Sequence, residues 1–184
     1  MYHVRVDPYI AGIFFGDGCI HKRKDGAYCA WIDQADKNKA ILEREVIPKL
    51  TRMQLKPHFY SYRVAKGNVV KWRVLVYSKE FYIVMDEIFR KVTEYFKELS
   101  DIEATQFIAG LFDAEGTKTD RIVINNRDIN ILNMVKWRFK NLGIKNSHIY
   151  SFGSIYGLQI YQKSSVKKFL EIIPSCRLKA HLPG

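Results

Sequence analysis

A chain of 184 residues, 47% of them hydrophobic, is long enough for one or two small domains and a sizeable buried core. Its net charge is +11, with 18 Lys/Arg against 12 Asp/Glu in residues 1–98 and 12 against 7 in residues 99–184, so the excess of +6 and +5 favours one extended polyanion over a basic tail. No apolar run approaches the roughly 20 residues of a membrane span, the N-terminus lacks a signal-peptide core, and Cys19, Cys29 and Cys176 show neither zinc nor disulfide spacing, so a location inside the cell is expected.

In chain order, Asp7 as N-cap and Pro8 at the first helical position open an apolar helix that runs to about Asp17. Residues 19–23 and 28–34 read as a hairpin around Lys24-Asp25-Gly26. Asp36 then caps a helix to about Met53, with Ile41, Leu42, Val46, Ile47 and Leu50 inward and a kink at Pro48. Residues 58–65 and 69–77 form a second hairpin with Lys66-Gly67-Asn68 at its tip, followed by a helix over 79–90 and a partly helical connector over 91–101. The same order then repeats: a helix over 102–115, a short hairpin over 118–126, and a helix capped by Asp128 with Leu132, Val135, Phe139 and Leu142 inward. A hairpin of 144–152 with 156–161 and a helix over 164–173, stopped by Pro174, complete it. The chain is thus a duplicated α-β-β-α-β-β-α unit of the α+β class, with halves 1–98 and 99–184.

The first helix of each half carries one stretch in two copies, Tyr9-Ile10-Ala11-Gly12-Ile13-Phe14-Phe15-Gly16-Asp17-Gly18 and Phe107-Ile108-Ala109-Gly110-Leu111-Phe112-Asp113-Ala114-Glu115-Gly116. Gly12 and Gly16, like Gly110 and Ala114, lie four apart and leave one helix face without bulk, so another backbone can approach closely. Gly18 and Gly116 suit a left-handed residue that ends a helix. Asp17 and Glu115 stand at the negative pole of each helix, where an anion is disfavoured. If the helices pair, both carboxylates converge and need a cation or a proton between them; oxygen ligands of this kind suit Mg²⁺ or Ca²⁺.

The two stretches resemble the signature helices of the LAGLIDADG homing endonucleases, in the single-chain, two-motif, intron-encoded form. The second copy departs from the family name only at Ile108, Phe112 and Glu115, and the first keeps Ala11, Gly12, Asp17 and Gly18. The resemblance implies two antiparallel sheets forming a DNA-binding saddle around the two central helices, in a monomer that cuts both strands of a long double-stranded DNA target. It implies that Asp17 and Glu115, with the backbone carbonyls of Gly16 and Ala114, hold a divalent cation that assists phosphodiester hydrolysis: Mg²⁺, or another such as Mn²⁺, with Ca²⁺ bound but inactive. Lys118 matches a basic position near the second acid, and Gln34, Asn126 and Arg127 lie at strand ends near the metals, where a structural role at the next helix is an alternative. The matching position in the first half is Ile20, so either Lys22 or Lys37 serves there or the two strands are cut at unequal rates.

Strand alternation separates the faces. Val70, Trp72, Val74 and Val76 read as core, which turns Lys71, Arg73, Leu75 and Tyr77 the other way; by the same alternation Arg63, His21 and Arg23 point to DNA. In the second half Arg121, Val123, Asn125 and Gln159 face outward. Residues 56–79 hold six Lys/Arg and no Asp/Glu, as a phosphate-binding face requires. The rivals are an RNA maturase acting on intron RNA and a DNA-binding regulator built on the same fold.

Overall fold

The computed structural model describes residues 5–65, 67, 69–145 and 147–179. Helix α1 (Pro8–Asp17) starts where the Asp7 carboxylate accepts the backbone N–H groups of Tyr9 at 2.9 Å and Ile10 at 3.3 Å. Strands β1 (Gly18–Lys22) and β2 (Tyr28–Ala35) form a hairpin whose turn uses Gly26 at φ +87°. A composite helix follows: a 3₁₀ turn (Asp36–Asn38), α2 (Lys39–Ile41), a π turn (Leu42–Val46) and α3 (Ile47–Arg52). Two expectations are corrected there. Asp36 does not cap the helix but accepts a hydrogen bond from Trp72 Nε1 at 2.7 Å. The distortion is a widened turn ahead of Pro48, which has no N–H to give the carbonyl four residues back.

Strands β3 (His58–Val64) and β4 (Val69–Tyr77) form the second hairpin; Lys66 and Asn68 of its expected tip lie outside the described residues. Helix α4 (Lys79–Arg90), capped by Ser78, and α5 (Val92–Glu98) lead to α6 (Asp101–Glu115), which opens with a reciprocal capping box of Ser100 and Glu103. The second half continues with β5 (Gly116–Lys118), β6 (Ile122–Asn126), α7 (Ile129–Asn141, capped by Asp128), β7 (Ser147–Phe152), β8 (Ile155–Ile160) and α8 (Lys163–Ile172). Beyond Pro174 a four-residue helix, α9 (Cys176–Lys179), was not expected.

Each half forms a four-stranded antiparallel sheet, ordered β1-β2-β4-β3 and β5-β6-β8-β7. The inward faces of both sheets and the helices between them share one continuous core, from Val6 to Leu178. Ile47 and Leu142, expected inward, are only half-buried. Among the described residues no helix is long and apolar enough to cross a membrane.

Helices α1 and α6 cross backbone to backbone. A methyl group built on Gly12 would lie 2.0 Å from the carbonyl oxygen of Phe107, and one on Gly110 would lie 2.1 Å from that of Tyr9. The small-residue faces therefore have the packing role their spacing suggests. Gly18 and Gly116 do not have the left-handed role expected of them. Both are extended, at φ −82° and −85°, and a Cβ at either position would meet the Phe14 or Phe112 carbonyl oxygen at 2.5 or 2.4 Å. These glycines let each first strand turn back tightly over its own helix.

Gly12→Ala and Gly110→Ala are expected to destabilise the fold by about 3 kcal/mol or more, since the clash is with backbone and the helices must separate. Gly26→Ala, with nothing within 4 Å of the added methyl, should cost only the left-handed strain of about 1–2 kcal/mol. Urea unfolding of the three variants checks the ranking.

Candidate active site

The crossing brings the carboxyl-terminal ends of α1 and α6 together. A Cβ on Gly16 would lie 2.5 Å from the Ala114 Cβ and 3.2 Å from the Glu115 Cγ, so the missing side chain at 16 is what lets Glu115 lie beside Asp17. Gln34 Nε2 donates to Asp17 Oδ2 at 2.6 Å, and the Gln34 Oε1 accepts from Asn38 Nδ2 at 2.9 Å. The end of β2 and the turn after it thus aim a fixed amide at the first acid. Crowding by protein pushes the Asp17 carboxyl above the ordinary carboxylate range, against the hydrogen bond from Gln34 and the charges of Arg177 and Lys71. Glu115 is also pushed up, first by burial and then by the charge of Asp17, while Arg127 and Arg177 oppose the shift. Glu115 therefore feels the charge of Asp17, as converging carboxylates do.

In the second half Glu115, Asn125, Asn126 and Arg127 line one open cavity of about 630 Å³ with Tyr150, Tyr156 and Gly157. Asn126 also has a structural role, because its Oδ1 accepts the backbone N–H of Asp128 at 2.8 Å and shapes the entry to α7. Lys118 is half-buried, stands opposite Ile122 in the β5–β6 register on the helix-facing side, and does not line this cavity.

The strand registers sort the other candidates. Lys71, Arg73 and His21 lie on the open face of the first sheet, in rows with Ala35, Asp33 and Cys29. Arg23, at the end of that hairpin, is paired with Asp25 at 2.9 Å. The Arg73 fork is already engaged: Nε and Nη2 each donate to Asp33 at 2.7 Å, and the guanidinium lies over Trp31 and Tyr62. Arg63 is corrected. It stands opposite Val70, in the alternation of Phe59 and Trp72, which turns it to the helix side; His58, Tyr60 and Tyr62 occupy the open face instead. In the second sheet Asn125 and Gln159 are on the open face with Val123 and His148, and Arg121 pairs with Asp120 at 3.1 Å just ahead of β6.

Two functional-site residues escaped the sequence reading. Asp113 is fully buried in α6 and accepts hydrogen bonds from Tyr9 Oη at 2.8 Å, from the Ser175 hydroxyl, and from the backbone N–H groups of Cys176 at 2.9 Å and Arg177 at 3.0 Å. It ties both motif helices to the segment after Pro174. That segment delivers Arg177, whose guanidinium donates to the carbonyls of Asp113 and Gly116 at 2.5 Å and of Ala114 at 3.3 Å. A cation thereby satisfies the exposed carbonyls at the end of α6 and faces the two acids. The available signal was an acid on the buried face of an apolar helix, which demands donors from elsewhere.

Among the described residues no three His, Cys, Asp or Glu side chains cluster as a metal site. Two carboxylates flanked by backbone carbonyls are nonetheless an oxygen donor set of the kind Mg²⁺ accepts, with waters and substrate phosphates as the remaining ligands. The Ala114 carbonyl is shared with Arg177, so its capacity is already partly used.

Replacing Arg177 with Met should cost about 1.5–3 kcal/mol in charge-assisted hydrogen bonds and raise the pKa values of Asp17 and Glu115 further, because a lowering charge is removed. Arg177→Lys should retain more of the charge effect than of the stability. Carboxyl ¹³C NMR titration with thermal unfolding separates the two.

Comparison with known proteins agrees with this architecture. A family model described as the LAGLIDADG-like domain matches residues 103–174. The chain is 29% identical over 183 residues to an uncharacterized protein of Methanocaldococcus jannaschii, covering 88% of this chain and 63% of that one, so it spans under two thirds of that relative. It is 27% identical over 181 residues to the homing endonuclease I-DmoI of Desulfurococcus mucosus, covering 94% of this chain and 89% of that one. Structures of I-DmoI in complex with DNA and Mn, and with DNA and Ca, match with TM-scores of 0.72 at 23% identity; the Mn complex covers 96% of this chain and 98% of that one, and the Ca complex 94% and 91%. Residues 103–174 thus match the LAGLIDADG-like domain, and the whole chain, with two helices crossing at their small-residue faces and the same sheet order on either side, has the fold of the single-chain homing endonuclease I-DmoI.

Proposed function

We propose that the protein is a site-specific double-strand DNA endonuclease that acts as a monomer inside the cell with a divalent cation. The observation that carries this reading is the convergence of Asp17 and Glu115 at the adjoining ends of α1 and α6. The likeness to I-DmoI, whose structures contain DNA with Mn or Ca, supports DNA as partner and a divalent ion as cofactor. Asp17 and Glu115 would hold the cation, with the Gly16 and Ala114 carbonyls beside them. When bound, such a cation stabilises charge on the phosphate and lowers the pKa of a water.

The chain's own groups have separable roles. Gln34 fixes the Asp17 carboxylate so that one oxygen remains for the cation. Arg127 and Arg177 offset the negative charge that gathers when a phosphate joins two carboxylates. Asn126 lines the cavity of the second acid, and Lys118, three residues past Glu115 on the helix-facing side of β5, would supply positive charge behind it. The open faces, with His21, Lys71, Arg121, Asn125 and Gln159, contact the duplex. Arg73, held by Asp33, meets DNA as a rigid element on Trp31 and Tyr62.

Asp17→Asn and Glu115→Gln are each expected to abolish double-strand cleavage while specific DNA binding persists. Neither should lower the stability of the metal-free protein. Both carboxyls have raised pKa values in the fold, so their contribution is favourable in acid and is lost as pH rises through the folded pKa; an amide mimics the protonated form. The assay is incubation of supercoiled plasmid carrying the uninterrupted host allele with Mg²⁺ or EDTA, beside light scattering of the DNA complex. Residual nicking in one variant would assign one strand to each acid. Full linear product from either variant would remove that acid from the site, and a protein dimer on DNA would overturn the single-chain reading.

A further inference from the structure

We propose that Arg177 is a built-in cation at the end of α6, so that the paired acids take a single divalent ion, held from the α1 side. The inference concerns the number of ions and their place, and rests on the proposed function only for what the bound ion does. The duplication supplies two equivalent donor sets: the Asp17 carboxylate with the Gly16 carbonyl, and the Glu115 carboxylate with the Ala114 carbonyl. The two helices also close alike. The Gly18 N–H donates to the Phe14 carbonyl, and the Gly116 N–H donates to the Phe112 carbonyl. The backbone alone therefore offers two equal cation positions, and the side chains make them unequal.

At the end of α6 the Arg177 Nη1 donates to the Gly116 carbonyl at 2.5 Å, and Nη2 donates to the carbonyls of Asp113 at 2.5 Å and Ala114 at 3.3 Å. Carbonyl oxygens at the negative pole of a helix attract a hard cation, and here one guanidinium already spans three of them. It is also held at its backbone. Asp113, fully buried, accepts the N–H of Arg177 at 3.0 Å beside those of Cys176 at 2.9 Å and the Tyr9 hydroxyl at 2.8 Å. Swinging the guanidinium aside therefore strains a buried network.

At the end of α1 the partner is neutral: the Gln34 amide donates to Asp17 at 2.6 Å. Among the described contacts no Lys or Arg donates to a carbonyl in the last turn of α1. Each acid feels one cation from its own half, Lys71 for Asp17 and Arg127 for Glu115, and those two balance. Arg177, whose charge reaches both carboxylates, is the unmatched one. A divalent ion beside the Ala114 carbonyl has to share that oxygen with a guanidinium and sit against its full charge, a repulsion that is strongest at short range and away from bulk water. An ion beside Gly16 and Asp17 meets only an amide.

The test is a Mn²⁺ titration of the full chain at mildly alkaline pH, followed by loss of the free-ion electron paramagnetic resonance signal. Wild type should bind one Mn²⁺, and Asp17→Asn should weaken it roughly tenfold or more through loss of a close opposite charge, a larger effect than that of Glu115→Gln. Arg177→Met should bind a second ion, seen as a doubled stoichiometry and a spin-coupled signal, and adding Glu115→Gln should remove it. Arg177→Gln keeps hydrogen-bond donors for the carbonyls and loses the charge, so it should bind the second ion even where Arg177→Met disturbs the segment after Pro174. Arg177→Lys, which keeps a cation there, should stay at one. Two ions in wild type, one ion in both neutral variants, or no saturable binding in any of them overturns the inference. One ion in wild type and two in the neutral variants, with no DNA cleavage by any of them, upholds it and overturns the nuclease reading instead.

Discussion

The structure depends on one contact that no side chain makes: the crossing of two helix backbones at Gly12 and Gly110. At that distance each helix presents its carbonyls to the other, and register is fixed by bumps too small to slide past. Everything of consequence follows from the register. It sets Gly16 against Ala114, places Asp17 and Glu115 at one edge, and leaves a sheet on either side of the helix pair. Burial of Ile10, Ile13, Phe14, Phe107, Leu111 and Phe112 around the crossing stabilises it, because the apolar surfaces left over must be covered by the two halves together.

The duplication, the helix pairing and the converging acids were legible because each repeats a chemical pattern twice at fixed spacing. The failures have local causes. Arg63 was assigned by carrying alternation across a hairpin whose register only the pairing reveals, and one residue of slip exchanges the faces. A glycine after a helix has the same spelling whether it turns left-handed or lets a strand fold over Phe14, so Gly18 and Gly116 could not be told apart from ordinary caps. Helix α9 is a single turn, too short for any periodicity, and with it Arg177 was missed. Gln34, expected at a strand end near the metals, donates to Asp17 because its strand ends next to the end of the first helix.

The halves share a plan but not an electrostatic design. The first sheet keeps Arg73 clamped to Asp33 between aromatic rings, which stiffens its open face and restricts that arginine's freedom toward any ligand. The second has no such clamp among the described residues; its acid faces a cavity with Asn125, Asn126 and Arg127. Arg177 reaches the second helix end from far along the chain, with no counterpart at the first helix end among the described contacts. A duplicated unit can thus preserve geometry while each copy solves separately how its carboxylate is balanced.

The hydrogen bond from Tyr9 to Asp113 has a further consequence, for partner choice between nearly self-complementary helices. Advancing Tyr9 or moving Asp113 back by the repeat of 98 gives Phe107 and Phe15, the mirror positions, which rest against Phe96 and Phe89. A smooth small-residue face would let α6 of one copy pair with α6 of another. That homotypic pair would bury two Asp113 carboxylates without the tyrosine hydroxyl each now receives, and a homotypic α1 pair would bury two Tyr9 hydroxyls opposite phenylalanine. Both mispairings forfeit that buried hydrogen bond; Asp113 keeps its donors from Ser175, Cys176 and Arg177, but each Tyr9 hydroxyl is left unsatisfied, a cost of about 1–3 kcal/mol for each such group. The bond discriminates against exchange of helices between chains and so favours closure of this chain upon itself.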